Sequence, residues 1–298
     1  MGHGNMSPSG QKSQPKALLF DASPDLPSSN VQSNPTQVFG TVVDWRTSVT
    51  EYLERRSFES LNSGSSSIAT AVRMKCAQVD WPTFVQEWRS SYYEFTRDQA
   101  KRKDHGEPLA FKTVDDHHLD SLRALLNQAG ISGLWADDQV IQVSRIWHYL
   151  EGWPDSSPGL VALKDKGFII CTLSNGNVEL LTDMAAHARL PWTRIFSADK
   201  FGAYKPHPSV YTSACKELGL EPGQCAMVAA HLADLDAARE CGLQTIYIER
   251  TQEETWSAEK IDGAKSKGWA DMWVTIDDDT VGGGILEVAR NLEGEQKP

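Results

Sequence analysis

The 298-residue sequence predicts an α/β fold, a doubly wound parallel sheet with an all-helical block inserted after its first strand. Three observations predict it. A short apolar run, Ala17-Leu18-Leu19-Phe20, ends in an acid, Asp21. Residues 48 to about 150 then read as helices without strand-like runs. From Pro154 onward, short apolar runs alternate with amphipathic segments, the pattern of successive strand–helix units.

The elements follow in order. Residues 1–15 are polar, rich in Gly, Ser and Pro, and lack an apolar signal-peptide core; they read as a disordered tail. In the helical block, Ser48–Arg56, Ser67–Met74, Trp81–Arg102, Leu119–Gln128 and Asp138–Leu150 carry apolar residues at spacings of three and four. Strands are expected over 167–173, 194–197, 225–230, 245–248 and 272–276, and helices over 177–187, 208–218, 234–241 and 284–292. Residues 16–47 and 152–298 are thus expected to form the α/β core, and 48–151 a helical cap over its carboxyl edge.

Composition narrows the function. A net charge of −11 disfavours a nucleic-acid or anionic-membrane surface. No apolar stretch is long enough for a membrane span. Five cysteines, without metal-ligand spacing, suit reduced thiols in the cytoplasm.

Four polar signals fall at strand ends: Asp21, Ser174-Asn175, Lys205 and Asp234. Each has an ordinary reading alone, as a turn acid, a helix cap, a solvated lysine and a first-turn helix acid respectively. Their ordered recurrence at one sheet edge points instead to one crevice. Asp115-Asp116-His117-His118 has metal-like composition but unsuitable spacing, and reads as a solvated helix start. Trp81, Trp88, Tyr92, Tyr93 and Phe95 read as packing within the helical block, and Asp277-Asp278-Asp279 before Gly282-Gly283-Gly284 as a turn.

With those signals in place, the strings FD…VFGTVVDWR, FVQEWRSSYYEF, TLSNGNVELL, SADKFGAYKPHPSVY and MVAAHLADLDAA resemble the haloacid dehalogenase superfamily, and within it the L-2-haloacid dehalogenases of type II. The resemblance runs from Lys16 to about Arg250 and implies a Rossmann-like core with a helical cap. It implies Asp21 as nucleophile on the halogen-bearing carbon, with Lys205 keeping it ionised. It further implies that Ser174 holds the substrate carboxylate and that Arg89 and Asn175 cradle the departing halide. Tyr211 and Asp234 match active-site positions, and Thr41 matches the threonine that steadies the nucleophile. Neither metal nor cofactor is implied; the substrate is a small 2-haloacid, and homodimers occur among relatives.

Phosphatases of the superfamily place a second Asp two residues after the nucleophile, as the acid for a leaving alkoxide. Here the nucleophile motif is split: 16 residues, 22–37, stand between Asp21 and Val38-Phe39-Gly40-Thr41. With the halves rejoined, the acid's place falls to Phe39; in the uninterrupted chain it falls to Ser23. Neither protonates an alkoxide, whereas a halide leaves without a proton. Two further departures are Ala229-Ala230-His231 where relatives often have Ser-Ser-Asn, and Ala233 in place of a tryptophan. His231 is open between two roles, orienting Asp21 or its hydrolytic water, and a satisfied core histidine. Segment 22–37 reads as an irregular insertion, compatible with a retained in-phase intron bounded by codons for Ala22-Ser23 and Thr36-Gln37. The alternatives to dehalogenation are a magnesium-dependent phosphatase of the same superfamily and a catalytically impaired protein.

Overall fold

The computed structural model describes residues 13–21, 39–64, 67–104, 111–275 and 283–293. Residues 1–12 of the expected tail, the segment 22–37 with Ser23, and the acidic turn at 277–279 lie outside the described residues, as does the side chain of Phe39.

Strand β1 (Ala17–Asp21) is followed by a short helical turn, Phe39–Thr41, and by β2 (Val43–Asp44). The helical block comprises α1 (Trp45–Asn62), α2 (Thr70–Cys76), α3 (Trp81–Asp104), α4 (Val114–Gln128) and α5 (Asp137–Ser144). A return through β3 (Glu151–Gly152) and α6 (Ser156–Asp165) leads to β4 (Ile169–Ser174), α7 (Val178–His187), β5 (Arg194–Ser197), α8 (Ala198–Phe201) and α9 (Pro208–Leu218). The chain continues with β6 (Cys225–Ala229), α10 (Leu232–Glu240), β7 (Gln244–Ile248), α11 (Ala258–Ser266), β8 (Met272–Val274) and α12 (Ile285–Asn291).

The main sheet is parallel, in the order β5-β4-β1-β6-β7-β8. All of β1 is buried, because helices cover both faces. Its alternation assigns Leu18 and Phe20 to the apolar cluster shared with the helical block, and Ala17 and Leu19 to the cluster beneath α9 and α10. The chain crosses from β1 to β4 on one side and to β6 on the other, which opens a crevice at the carboxyl end of β1.

Local chemistry explains the boundaries. Asp44 accepts from Thr47 N at 3.1 Å and starts α1. Thr113 and Asp116 form a reciprocal capping box that starts α4 five residues before the apolar pattern becomes legible. The expected helix to Leu150 stops at Ser144 and tightens into a 3-10 turn, Arg145–His148. The two-residue antiparallel pair β2–β3, α8 and α11 carry too little periodicity to be read from sequence. All five cysteines are free. No helix among the described residues is long and apolar enough to cross a membrane.

Candidate active site

The parallel sheet brings the four polar signals together. Asp21 ends β1, Ser174 ends β4 with Asn175 directly after it, Lys205 lies between α8 and α9, and Asp234 occupies the first turn of α10. Lys205 Nζ donates to Asp21 Oδ1 at 2.6 Å and to Asp234 Oδ2 at 2.8 Å, and all three side chains are fully buried. Its ammonium therefore fills the space between the two carboxylates. Tyr211 from α9 donates its hydroxyl to Asp234 Oδ1 at 2.5 Å, so it reaches the site through Asp234. Asn175 brackets the backbone of Lys205, accepting from its N at 2.7 Å and donating to its carbonyl at 3.4 Å. Ser174 Oγ accepts from Gly176 N at 3.0 Å, and Thr41 Oγ1 accepts from Ala230 N at 2.9 Å.

His231 stands at the other edge of Asp21. Its Nδ1 lies 3.3 Å from Asp21 Oδ2, and its Nε2 lies 3.4 Å from Glu253 Oε2. Glu253 is buried and also accepts from Trp45 Nε1 at 3.1 Å. Burial alone would lower the His231 pKa, but hydrogen bonds to the two carboxylates outweigh it and push it up to about 9. His231 is then an imidazolium at neutral pH. For Asp21, burial pushes the carboxyl above its ordinary value against the pull of Lys205; Asp234 adds to the rise and His231 opposes it. The site thus sets three acids, Asp21, Asp234 and Glu253, against three cations, Lys205, His231 and Arg89.

Arg89 comes from α3, in the helical block, and is buried. Its Cζ lies 4.7 Å from the ring centre of Tyr92, 5.6 Å from Trp45 and 5.9 Å from Trp147. Burial lowers its pKa to about 10, while Tyr92, Glu253 and Asp21 act to raise it. It remains a cation at neutral pH, in an aromatic box that faces the Asp21 charge. Of the aromatic residues read from sequence as packing, Tyr92 also walls this box, and Trp45 and Trp147 complete it.

Sequence reasoning missed Glu253. Its string, Thr251-Gln252-Glu253-Glu254-Thr255, has no periodicity to mark it. Only the fold reveals it, closing over Gly40 so that an added Cβ there would fall 1.9 Å from Glu253 Cδ. The expectation of a solvated start at Asp115–His118 is corrected in part. Asp116 is exposed and caps the helix, but helical spacing turns Asp115 and His118 inward. His118 stacks on Trp147 at 4.8 Å, and Asp115 bonds His148 Nε2 at 3.0 Å and Asn177 Nδ2 at 2.9 Å. His148 Nδ1 in turn meets Asp183 of α7 at 2.8 Å, so the imidazole bridges the helical block and the sheet domain's helix.

Comparison with known proteins places this fold in a family. A family profile described as haloacid dehalogenase-like hydrolase matches residues 38–242, beginning on the far side of the intervening segment from Asp21. The crystal structure of a defluorinating L-2-haloacid dehalogenase is 30% identical, with a TM-score of 0.70 over 93% of this chain and 95% of the other. A second L-2-haloacid dehalogenase structure is 28% identical, with a TM-score of 0.68 over 93% and 99%. The (S)-2-haloacid dehalogenase 4A of Burkholderia cepacia is 24% identical over 214 residues, 71% of this chain and 80% of that protein. With two thirds of the chain under the profile and nearly all of it under a 30% identical structure, this protein belongs to the haloacid dehalogenase-like hydrolases, within the L-2-haloacid dehalogenase family.

Proposed function

We propose that the protein is a metal-independent hydrolytic dehalogenase of short 2-haloacids. The observation that carries the reading is the buried Asp21 carboxylate, held by Lys205 and faced by His231, with Phe39 rather than an acid on the adjoining turn. Asp21 attacks the substrate carbon in line, a C–O bond forms as the C–X bond breaks, and the halide leaves with the bonding pair. Arg89 and Asn175 stabilise the charge that grows on the halide, and Ser174 with the backbone N–H groups after β4 holds the substrate carboxylate. No proton is needed in this step, so the absence of an acid at Phe39 costs nothing.

The second step cleaves the ester. Esterification removes the charge of Asp21, one of the two carboxylates that keep His231 protonated. The imidazolium then loses its Nδ1 proton to solvent more readily and becomes a base for water, with Glu253 holding the imidazolium that forms again as it takes the water's proton. Water adds to the Asp21 carbonyl as His231 takes its proton, and the ester C–O bond to Asp21 Cγ breaks. His231 passes that proton to the departing alkoxide oxygen, so the 2-hydroxyacid leaves inverted at its carbon and Asp21 returns as a carboxylate. In this reading residues 16–47 and 152–298 are the core, 48–151 are the cap that brings Arg89, and the five free thiols suit a reducing cytoplasm. A homodimer is also part of it, to be read by sedimentation.

Single turnover in ¹⁸O-water tests the mechanism. Label is expected in the Asp21 peptide after one turnover and not in the first hydroxyacid formed. Absence of halide release from (S)-2-halopropionate overturns the activity. Magnesium-dependent phosphate release that is lost in Asp21→Asn would favour the phosphatase instead.

A further inference from the structure

The split motif has a physical resolution in the contacts of its second half. We propose that the turn Phe39–Thr41 is docked into the active site by Trp153 and Arg250, its positioning residues, so that the covalent path through 22–37 is not needed to place it. The activity readout of this inference rests on the dehalogenase reading; its structural readout does not.

Three successive backbone carbonyls, Gly40 to Val42, have partners from far downstream. Trp153 Nε1 donates to Gly40 O at 2.6 Å, Arg250 Nε to Thr41 O at 3.1 Å, and Trp153 N to Val42 O at 3.2 Å. Val43 and Asp44 then pair antiparallel with Gly152 and Glu151. The side chain of Thr41 is fixed by Ala230 N. Glu253 closes over Gly40 so tightly that any side chain there would have to displace it.

The two anchors are themselves fixed. Arg250 grips Asp155 with both terminal nitrogens, at 2.7 and 2.8 Å, and its Cζ lies 5.4 Å from the Trp153 ring. Asp155 also accepts from Ile285 N at 2.6 Å, which ties the clamp to α12. Bidentate geometry of this kind resists rotation as well as separation. β1, for its part, is held between β4 and β6 by parallel ladders. Both halves of the motif thus have their own attachment to the sheet. Loop-closure entropy grows only logarithmically with length, so 16 more residues weaken their juxtaposition little.

The experiment is to replace residues 28–33 with a site-specific protease sequence and cut the folded protein. The two pieces are expected to remain together on native mass spectrometry, with halide release within about threefold of the uncut chain, since placement is unchanged. Trp153→Phe and Arg250→Lys are each expected to lower kcat by about tenfold with KM nearly constant, in cut and uncut protein alike. Loss of about a hundredfold or more on cutting, or separation of the pieces, overturns the proposal. If even the uncut chain releases no halide, the dehalogenase reading fails, and amide exchange at Gly40–Val43 decides. Equal protection before and after cutting supports the clamp, and lost protection refutes it.

Discussion

Replacing Glu253 by glutamine separates the two halves of the reaction. The carboxylate is one of two that hold His231 at about 9 against its burial, so its neutralisation lowers the imidazole pKa from that value. The tautomer changes as well. A glutamine at 253 keeps its Oε1 for Trp45 Nε1 and turns an amide N–H toward His231 Nε2, across the present 3.4 Å. Nε2 must then accept, and the ring proton sits on Nδ1, pointing at Asp21. A ring protonated there cannot take a proton from water attacking the ester. General-base assistance contributes roughly 10²–10⁴-fold, so kcat is expected to fall by about 10², or about 2.7 kcal/mol. Halide displacement needs no base and should survive. Rapid-quench assays should therefore show a burst of one halide per chain, followed by slow turnover. Intact-mass measurement should show the ester on Asp21. A uniformly slow reaction with no burst and no ester would refute the reasoning.

Three further outcomes follow from the same geometry. Gly40→Ala places a methyl where Glu253 Cδ lies, 1.9 Å away, and is expected to cut halide release by about 10² or more by displacing the turn or Glu253, read by steady-state kinetics with a circular-dichroism control. Lys205→Met leaves Asp21 and Asp234 buried without their shared ammonium; a stability loss of about 3–5 kcal/mol by urea unfolding and loss of the halide burst are expected, and unchanged stability would count against the bridge. His148 is raised from 6.5 despite burial because Asp115 and Asp183 hold its proton, with Arg145 opposing. Its contribution to stability is full below about 6.5 and lost as pH rises through the folded value. His148→Gln should flatten the decline of Tm with pH on that alkaline side; an unchanged slope would refute the bridge.

The sequence alone determined the fold class, because strand and helix periodicities are local and β1, α3, α9 and β6 keep them within one or two residues. It also determined most of the site. Asp21 and Ser174-Asn175 stand at the ends of β1 and β4, Lys205 and Asp234 in the segments that leave β5 and β6, and a parallel sheet has only one edge to which those ends can point. Arg89 was legible only through family resemblance, since a helical arginine says nothing about which core it covers.

Tertiary structure decided the rest. Glu253, Arg250, Asp155 and Trp153 sit in loops or at element ends, without a period to mark them, and act through partners up to 209 residues away, the separation of Arg250 from Thr41. His231 was ambiguous in sequence because its role depends on which acids face it, and the fold supplies two. The same holds for the interrupted motif. Sequence registers 16 intervening residues as a break in a string, whereas the forces that seat Gly40 and Thr41 are hydrogen bonds from distant residues and short-range packing, indifferent to the path the chain takes between them.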